Sequence, residues 1–405
     1  MRWSAAIPAA VLLYLCLGAL LIAQRPGLYD DEGMMAAGTV HMLYSSGEFR
    51  LPHADHSWVC KSGRCMPLMA ESRYIGAVKD WLCLPLFALF GPRVAILRLV
   101  SLLLGAIGIA GFGFFAARQA GRGAGAITAF ALALNPSYAA ALIFDNGAVA
   151  ATMAALGLVC AAAAIYAARP TARAAFATGL AAGFGIWARA NFLWTLAAGA
   201  AAYAIVYRNW RFPARHWVAA GAGGILGGLP FLIYQTKSRG GTLEAMGLFT
   251  ASQPFGQLLR YRLFLFADTL LADGEHRRLW GGLGAMPAWV LWTCALAAAA
   301  ACAACMVAGR GRFARFAALA FALLTGYLLA TRLEVAEHHM IAMIPPAVLV
   351  CVLAGAGLQA RYRSAWVVSA AAALLYAGGA LYWQAAAVRG LHRTGGVGLW
   401  SDAVF

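Results

Sequence analysis

From Ala5 to Ala23 the chain runs for about 19 residues without a charge, long enough to cross a bilayer as a helix. Runs like it recur almost to the end of the sequence. Hydrophobic residues make up 63% of the 405 and charged residues only 11%. A soluble domain is roughly 45–50% apolar and about 25% charged. A soluble core cannot bury that excess, so the chain reads as an integral membrane protein. Its net charge of +16 would suggest nucleic acid in a soluble protein. Here the charges must first be sorted by side of the membrane, and no nucleic-acid partner is expected.

The first run could be a cleaved signal peptide, but Gln24-Arg25-Pro26 makes a poor cleavage site. It reads as an uncleaved first span with the N-terminus in the cytoplasm. The later runs are separated by small arginine clusters: Arg118 and Arg122; Arg169 and Arg173; Arg208, Arg211 and Arg215; Arg310, Arg312 and Arg315; Arg361 and Arg363. Short basic loops without acids stay inside. That assignment puts further spans near 93–117, 124–142, 147–167, 174–188, 191–207, 217–235, 286–308, 314–330, 340–358 and 365–383. The expected fold is all-α, a polytopic membrane protein of about eleven transmembrane helices, with its C-terminal tail outside. A bacterial inner membrane, with that tail periplasmic, is the expected location.

Trp81–Phe90 is also apolar, but counting it as a span breaks the parity. About ten residues with a central Pro85 fit an interfacial or re-entrant helix in a first outer loop, about 24–92. Gly33 to Ser46 reads as a second, amphipathic surface helix in the same loop. A second outer loop is expected over 236–285. All 15 Asp and Glu residues then fall on the outer side, so any chemistry faces outward. Seven cysteines lie in apolar runs and read as small buried hydrophobes. Cys60 and Cys65 lie in a polar outer stretch, where a short-range disulfide is the expected reading. Glycine pairs at 179 and 183, 223 and 227, and 224 and 228 read as helix-packing positions.

The strongest chemical signal is Tyr29-Asp30-Asp31-Glu32-Gly33, directly after the first span. Three consecutive carboxylates beside a low-dielectric medium repel one another. One of Asp30, Asp31 and Glu32 should take a raised pKa, or the cluster should hold a cation such as a divalent metal ion (Mg or Mn). The plain alternative is a solvated acidic stop. Lys79, before the second surface helix, can pair with a phosphate or merely snorkel. Arg189, between two short apolar runs, is a phosphate ligand or a hairpin tip. Arg260 and Arg262, with His276-Arg277-Arg278, make an outer basic loop that insertion does not explain, and Arg332 lies in the next outer loop. Glu337, His338 and His339 open a late span. Adjacent histidines do not share a helix face, so alone they make a poor metal pair, although one could join Asp31 around a metal or substrate.

Asp31-Glu32 with the Gly33–Gly47 helix, and Gly76-Ala77-Val78-Lys79-Asp80-Trp81 running into Pro85-Leu86-Phe87-Ala88-Leu89-Phe90-Gly91, together resemble the GT-C membrane glycosyltransferases. Arg98-Leu99 and Gly179-Leu180-Ala181-Ala182-Gly183 are similar as well. That family includes protein O-mannosyltransferases, lipid A aminoarabinose transferases and oligosaccharyltransferase catalytic subunits. The resemblance covers roughly the first half of the chain. It implies a catalytic membrane module over 1–235, an outer loop over 236–285, and C-terminal spans with a short outer tail over 286–405. It further implies sugar transfer from a polyprenyl-phosphate donor to a lipid, glycan or protein acceptor on the outer face. Asp31 would hold the catalytic-carboxylate position, with Asp30 one residue off register. Lys79 and some of Arg189, Arg260, Arg262 and Arg332 would bind the donor phosphate. No WWD-type motif is present, which argues against protein N-glycosylation. The competing reading is a transporter or flippase for a polyprenyl-linked sugar or lipid, which would need ionisable residues within spans and often paired repeats.

Overall fold

A computed structural model describes residues 5–22, 28–44, 56–61, 64–70, 73–145, 148–208, 212–248, 250–271, 288–308, 311–362, 364–394 and 400–401. Helices stand at every expected span. Six are long and apolar enough to cross a membrane: α4 (Val94–Ala120), α7 (Val149–Ala168), α14 (Ala288–Val307), α15 (Arg312–Ala330), α16–α17 (Glu337–Arg361) and α18 (Ala365–Thr394). Two more expected spans are bent pairs. Over 124–142 the chain forms α5 (Arg122–Leu134) and α6 (Pro136–Ile143), bent by 59°. Over 217–235 it forms α10 (Ala214–Gly227) and α11 (Leu229–Ser238), bent by 70°. The remaining three, α1 (Ala6–Ile22), α8 (Ala172–Ala188) and α9 (Phe192–Tyr207), have 16 or 17 residues. At about 1.5 Å per residue they fall a little short of a hydrocarbon core about 30 Å thick.

The two breaks have local causes. Pro136 cannot continue a helix but suits a first turn, and the Asn135 side chain accepts the Tyr138 N–H at 2.8 Å as its cap. Pro230 acts likewise in the first turn of α11, after Gly227-Gly228.

Helices α8 and α10 touch backbone to backbone through the predicted glycine pairs. A Cβ on Gly179 would lie 1.9 Å from the Ala220 carbonyl oxygen, and one on Gly183 2.1 Å from that of Gly224. Gly223 and Gly227 face Phe176 and Leu180 equally closely. The main core gathers α1, α4, α6, α7 and the first-loop helices around Tyr14, Tyr138 and Phe144, all nearly inaccessible. A second core joins α13 (Phe255–Leu271), α14, α15 and α17 (Ile344–Arg361).

The acid-bearing loops are partly structured. The first holds α2 (Asp30–Tyr44) and α3 (Val78–Phe90), packed against each other. Helix α3 begins three residues before the expected Trp81 and runs unbroken through Pro85. Between them lies the hairpin β2 (Trp58–Lys61) and β3 (Arg64–Pro67), closed by a Cys60–Cys65 disulfide. Leu28–Tyr29 (β1) pairs antiparallel with Trp400–Ser401 (β4). The expected loop 236–285 carries structure of its own: α12 (Gly241–Leu248) and α13 (Phe255–Leu271), the latter with Leu258, Arg262 and Leu265 to Asp268 buried. His276, Arg277 and Arg278 lie outside the described residues.

Candidate functional site

Helix α2 starts at Asp30, so the acidic triplet occupies its first turn, where carboxylates favour the helix dipole. The side chains of Asp30 and Asp31 lie outside the described residues. Glu32 is completely buried and receives two hydrogen bonds from Arg98 of α4, Nε to Oε1 at 2.8 Å and Nη2 to Oε2 at 2.9 Å. The Arg98 guanidinium also lies 4.9 Å from the centre of the Phe144 ring. Glu32 thus ties the first turn of α2 to α4.

Lys79 is likewise engaged. Its ammonium stands 3.0 Å from Oδ2 of Asp145, and both side chains are 2% exposed or less. Asp145 sits in the turn between α6 and α7 with a left-handed φ of 39°, and its Oδ1 accepts the Ala150 N–H at 2.9 Å. Two charges taken from water need such pairing and close hydrogen bonds to persist. Next to Lys79, Asp80 accepts the Thr39 N–H at 2.8 Å, while the Thr39 hydroxyl donates to the Asp80 carbonyl at 2.7 Å. Burial pushes the Asp80 carboxyl up to about 7, against the pull of the Thr39 bonds and of Lys79. Gly38 leaves room for that carboxylate, since a Cβ there would lie 2.8 Å from it. Three buried ties therefore hold α2 and α3 to each other and to the helices around them. Arg98 was visible in the sequence only within Arg98-Leu99, and Asp145 only as one outer acid among fifteen. The one signal for Asp145 was an acid beside Asn146-Gly147 at a turn between two apolar runs.

Arg189 stands in the turn between α8 and α9, 3% exposed. Backbone bonds lock that turn to the segment before α3: Gly76 N–H to Ala188 O at 3.1 Å and Ala190 N–H to Tyr74 O at 2.9 Å. The approach is close enough that a Cβ on Gly76 would meet the Trp187 carbonyl at 2.0 Å. Nη2 of Arg189 donates to Nε2 of His339 at 3.0 Å, while the Ala336 N–H donates to Nδ1 of the same ring. A neutral imidazole carries one lone pair, so these two donors compete for a single acceptor. The His338 ring lies 4.2 Å from that of His339, tilted by 42°, and the Trp194 ring lies 6.0 Å from it.

These side chains line a small cleft, with a cavity volume of about 20 Å3. Val149, Met153, Phe192, Leu324 and Leu328 make its apolar walls; Arg189, Asn191, His338 and His339 supply its polar part. The start of α2 is a neighbour, because Met35 packs with Ile75 and Ala148, which adjoin the Arg189 turn and the cleft wall.

The other sequence candidates are dispersed. Arg260 is exposed on α13. Arg332 is exposed too, with Nη1 donating to the Gln253 carbonyl at 3.3 Å. Arg262 is buried among backbone carbonyls. Glu337 is half-buried beside the two histidines. Among the described residues no three His, Cys, Asp or Glu side chains converge as a metal set, and Glu32 and Asp145 are already held by Arg98 and Lys79.

No family model matches the chain, and no curated protein matches it by sequence. Solved structures do. ArnT from Cupriavidus metallidurans in its apo state superposes with a TM-score of 0.64 at 17% identity, over 97% of this chain and 78% of that one. The same enzyme bound to undecaprenyl phosphate gives 0.60 at 17% identity over 96% and 75%. The Archaeoglobus fulgidus oligosaccharyltransferase AglB, in complex with an inhibitory peptide and a dolichol-phosphate, gives 0.54 at 13% identity, over 97% of this chain and 56% of that one. Taken with the helix order and the two surface helices of the first loop, these superpositions show that the chain has the GT-C fold.

Proposed function

We propose that this protein is a membrane glycosyltransferase that moves a sugar from a polyprenyl-phosphate donor to an acceptor on the outer face. The observation that carries the reading is the cleft, which sets Arg189 and two histidines against apolar walls, the pairing a phosphate on a lipid tail requires. That ArnT and AglB have been solved with lipid phosphates on the same fold supports it.

In the proposed reaction an acceptor oxygen attacks the anomeric carbon. The bond from that carbon to the phosphate oxygen breaks, and the leaving phosphate keeps the electron pair. Asp31 takes the acceptor proton. Arg189 and His339 stabilise the departing phosphate; the exposed Arg260 and Arg332 are further candidate contacts for a lipid phosphate. Direct displacement inverts the anomeric centre. Lys79 and Glu32 hold α3 and α2 through Asp145 and Arg98. A divalent ion would draw on Asp30 and Asp31; the described residues offer it no further donor set, and no step is routed through one.

The test is sugar transfer by lipid-reconstituted protein from a panel of radiolabelled polyprenyl-phosphate sugars. Wild type should form product. Asp31→Asn and Arg189→Gln should each lose at least about 100-fold, with Arg189→Gln also weakening donor binding. Loss in Asp30→Asn but not in Asp31→Asn would shift the base by one residue. The two broken spans, α5–α6 and α10–α11, are a feature that flippases and transporters share. Wild type that binds a donor and moves it across the bilayer without any covalent product would establish that alternative.

A further inference from the structure

Arg262 lies between exposed neighbours on α13, Tyr261 and Leu263, yet is itself 0% exposed. Its Nη1 donates to the carbonyl of Leu329 at 3.2 Å and to that of Thr331, and its Nη2 donates to that of Leu333. No carboxylate pairs with it among the described residues. The three carbonyls belong to the end of α15 and the turn that follows. A helix C-terminus leaves its last carbonyls without partners and carries partial negative charge, so a buried cation is stabilised there.

The clamped turn leads directly to the cleft. The Thr331 hydroxyl oxygen accepts the Leu333 N–H at 3.2 Å, and the Ala251 N–H donates to the Arg332 carbonyl at 2.9 Å. Val335 is then buried, and the Ala336 N–H reaches the His339 ring, whose other nitrogen faces Arg189. A continuous series of short contacts thus runs from α13 through Arg262 and the turn to the histidines at the cleft.

We propose that Arg262 is a positioning residue for this cleft: it fixes the turn over 331–336 so that His338 and His339 stand opposite Arg189 and meet the donor phosphate together. The inference rests on the donor reading given above and assigns Arg262 a place behind the phosphate site instead of in it. A lysine cannot substitute, because a single ammonium lacks the planar fork that reaches three carbonyls at once.

The experiment uses full-length protein in lipid, wild type against Arg262→Lys. Diethyl pyrocarbonate acylates an imidazole nitrogen lone pair, and labelling of each histidine is followed by mass spectrometry. His216, buried beside Tyr166, serves as internal control. Arg262→Lys should label His339 about tenfold faster, the factor for roughly 1.4 kcal/mol of lost restraint, with His216 unchanged. In transfer assays kcat/KM for the donor should fall about tenfold. Unchanged labelling of His339, or equal acceleration at His216, overturns the proposal, as does an unchanged kcat/KM. If Arg262→Lys does not accumulate, Thr331→Ala, which releases the Leu333 N–H from the same turn, should give the same pattern. Wild type inactive with every donor would sink the donor reading, while the labelling would still decide the role of Arg262.

Discussion

Replacing Glu32 by Gln separates an anchoring role from a catalytic one. The carboxylate and the Arg98 guanidinium are 0% and 1% exposed and meet at 2.8 and 2.9 Å in two parallel bonds. Glutamine keeps one carbonyl oxygen for Nε but turns an NH2 group toward Nη2, so one bond becomes a contact between two donors. It also leaves the guanidinium without its counter-charge. Removing one partner of a buried pair costs about 3–5 kcal/mol, whereas replacing both with apolar groups is often close to neutral. Glu32→Gln should therefore shift the folding equilibrium by roughly 10^2- to 10^4-fold, and Glu32→Met combined with Arg98→Met should recover most of it. The assay is reversible denaturation of detergent-solubilised protein in SDS, followed by far-UV circular dichroism. Transfer activity per folded molecule should stay within about threefold of wild type. A cost below about 1 kcal/mol, or a double variant worse than the single, would refute the anchoring argument. Full stability with activity abolished would make Glu32 catalytic after all.

Other perturbations follow from the same geometry. Asp80 titrates at about 7 in the fold against 3.8 in its usual state, so its contribution to stability is fully present below pH 3.8 and is lost as pH rises through about 7. Asp80→Asn keeps an oxygen for Thr39 and should flatten the stability profile between those values; an unchanged slope would count against it. Gly38→Ala places a methyl group 2.8 Å from the Asp80 carboxylate and should cost about 1–3 kcal/mol, seen as a lower melting temperature. Gly179→Val should abolish folded yield by splitting α8 from α10. Gly199→Ala, on a helix with open space around it, should gain about 0.5–1 kcal/mol. Equal behaviour of the two glycine variants would contradict the close packing of α8 on α10.

How far the sequence could be read follows from where its signals are local. Apolar runs and arginine clusters are properties of adjacent residues, so the helix positions were legible, as were the glycine pairs that pack α8 on α10 and the Cys60–Cys65 link. Pro136 and Pro230 marked the two breaks, but a hydropathy window averages over a bend and reads one span. Helix α13 was hidden for another reason. Its polar residues, among them Arg260, Arg262 and Asp268, suggest solvent, while burial of Arg262 depends on carbonyls some seventy residues on. The partners of Lys79 and Glu32 were out of reach in the same way: a lone Lys beside a membrane looks free to bind phosphate until the chain brings Asp145 to it. Candidate ligands could be chosen by residue type, whereas their engagement is a tertiary fact.

The pairing of Leu28–Tyr29 with Trp400–Ser401 has a consequence for biogenesis. The strand that leads into the acidic turn of α2 leaves the ribosome about 370 residues ahead of its partner. At about 5–20 residues per second the two are separated by tens of seconds of synthesis and by the insertion of the helices between them. During that interval the acid-bearing helix lacks its backbone partner, so the site is completed only once Trp400 has been made. A ribosome stalled before Trp400 leaves a membrane-inserted chain with the entry to α2 unpaired, a state that quality-control proteases can distinguish from the finished protein.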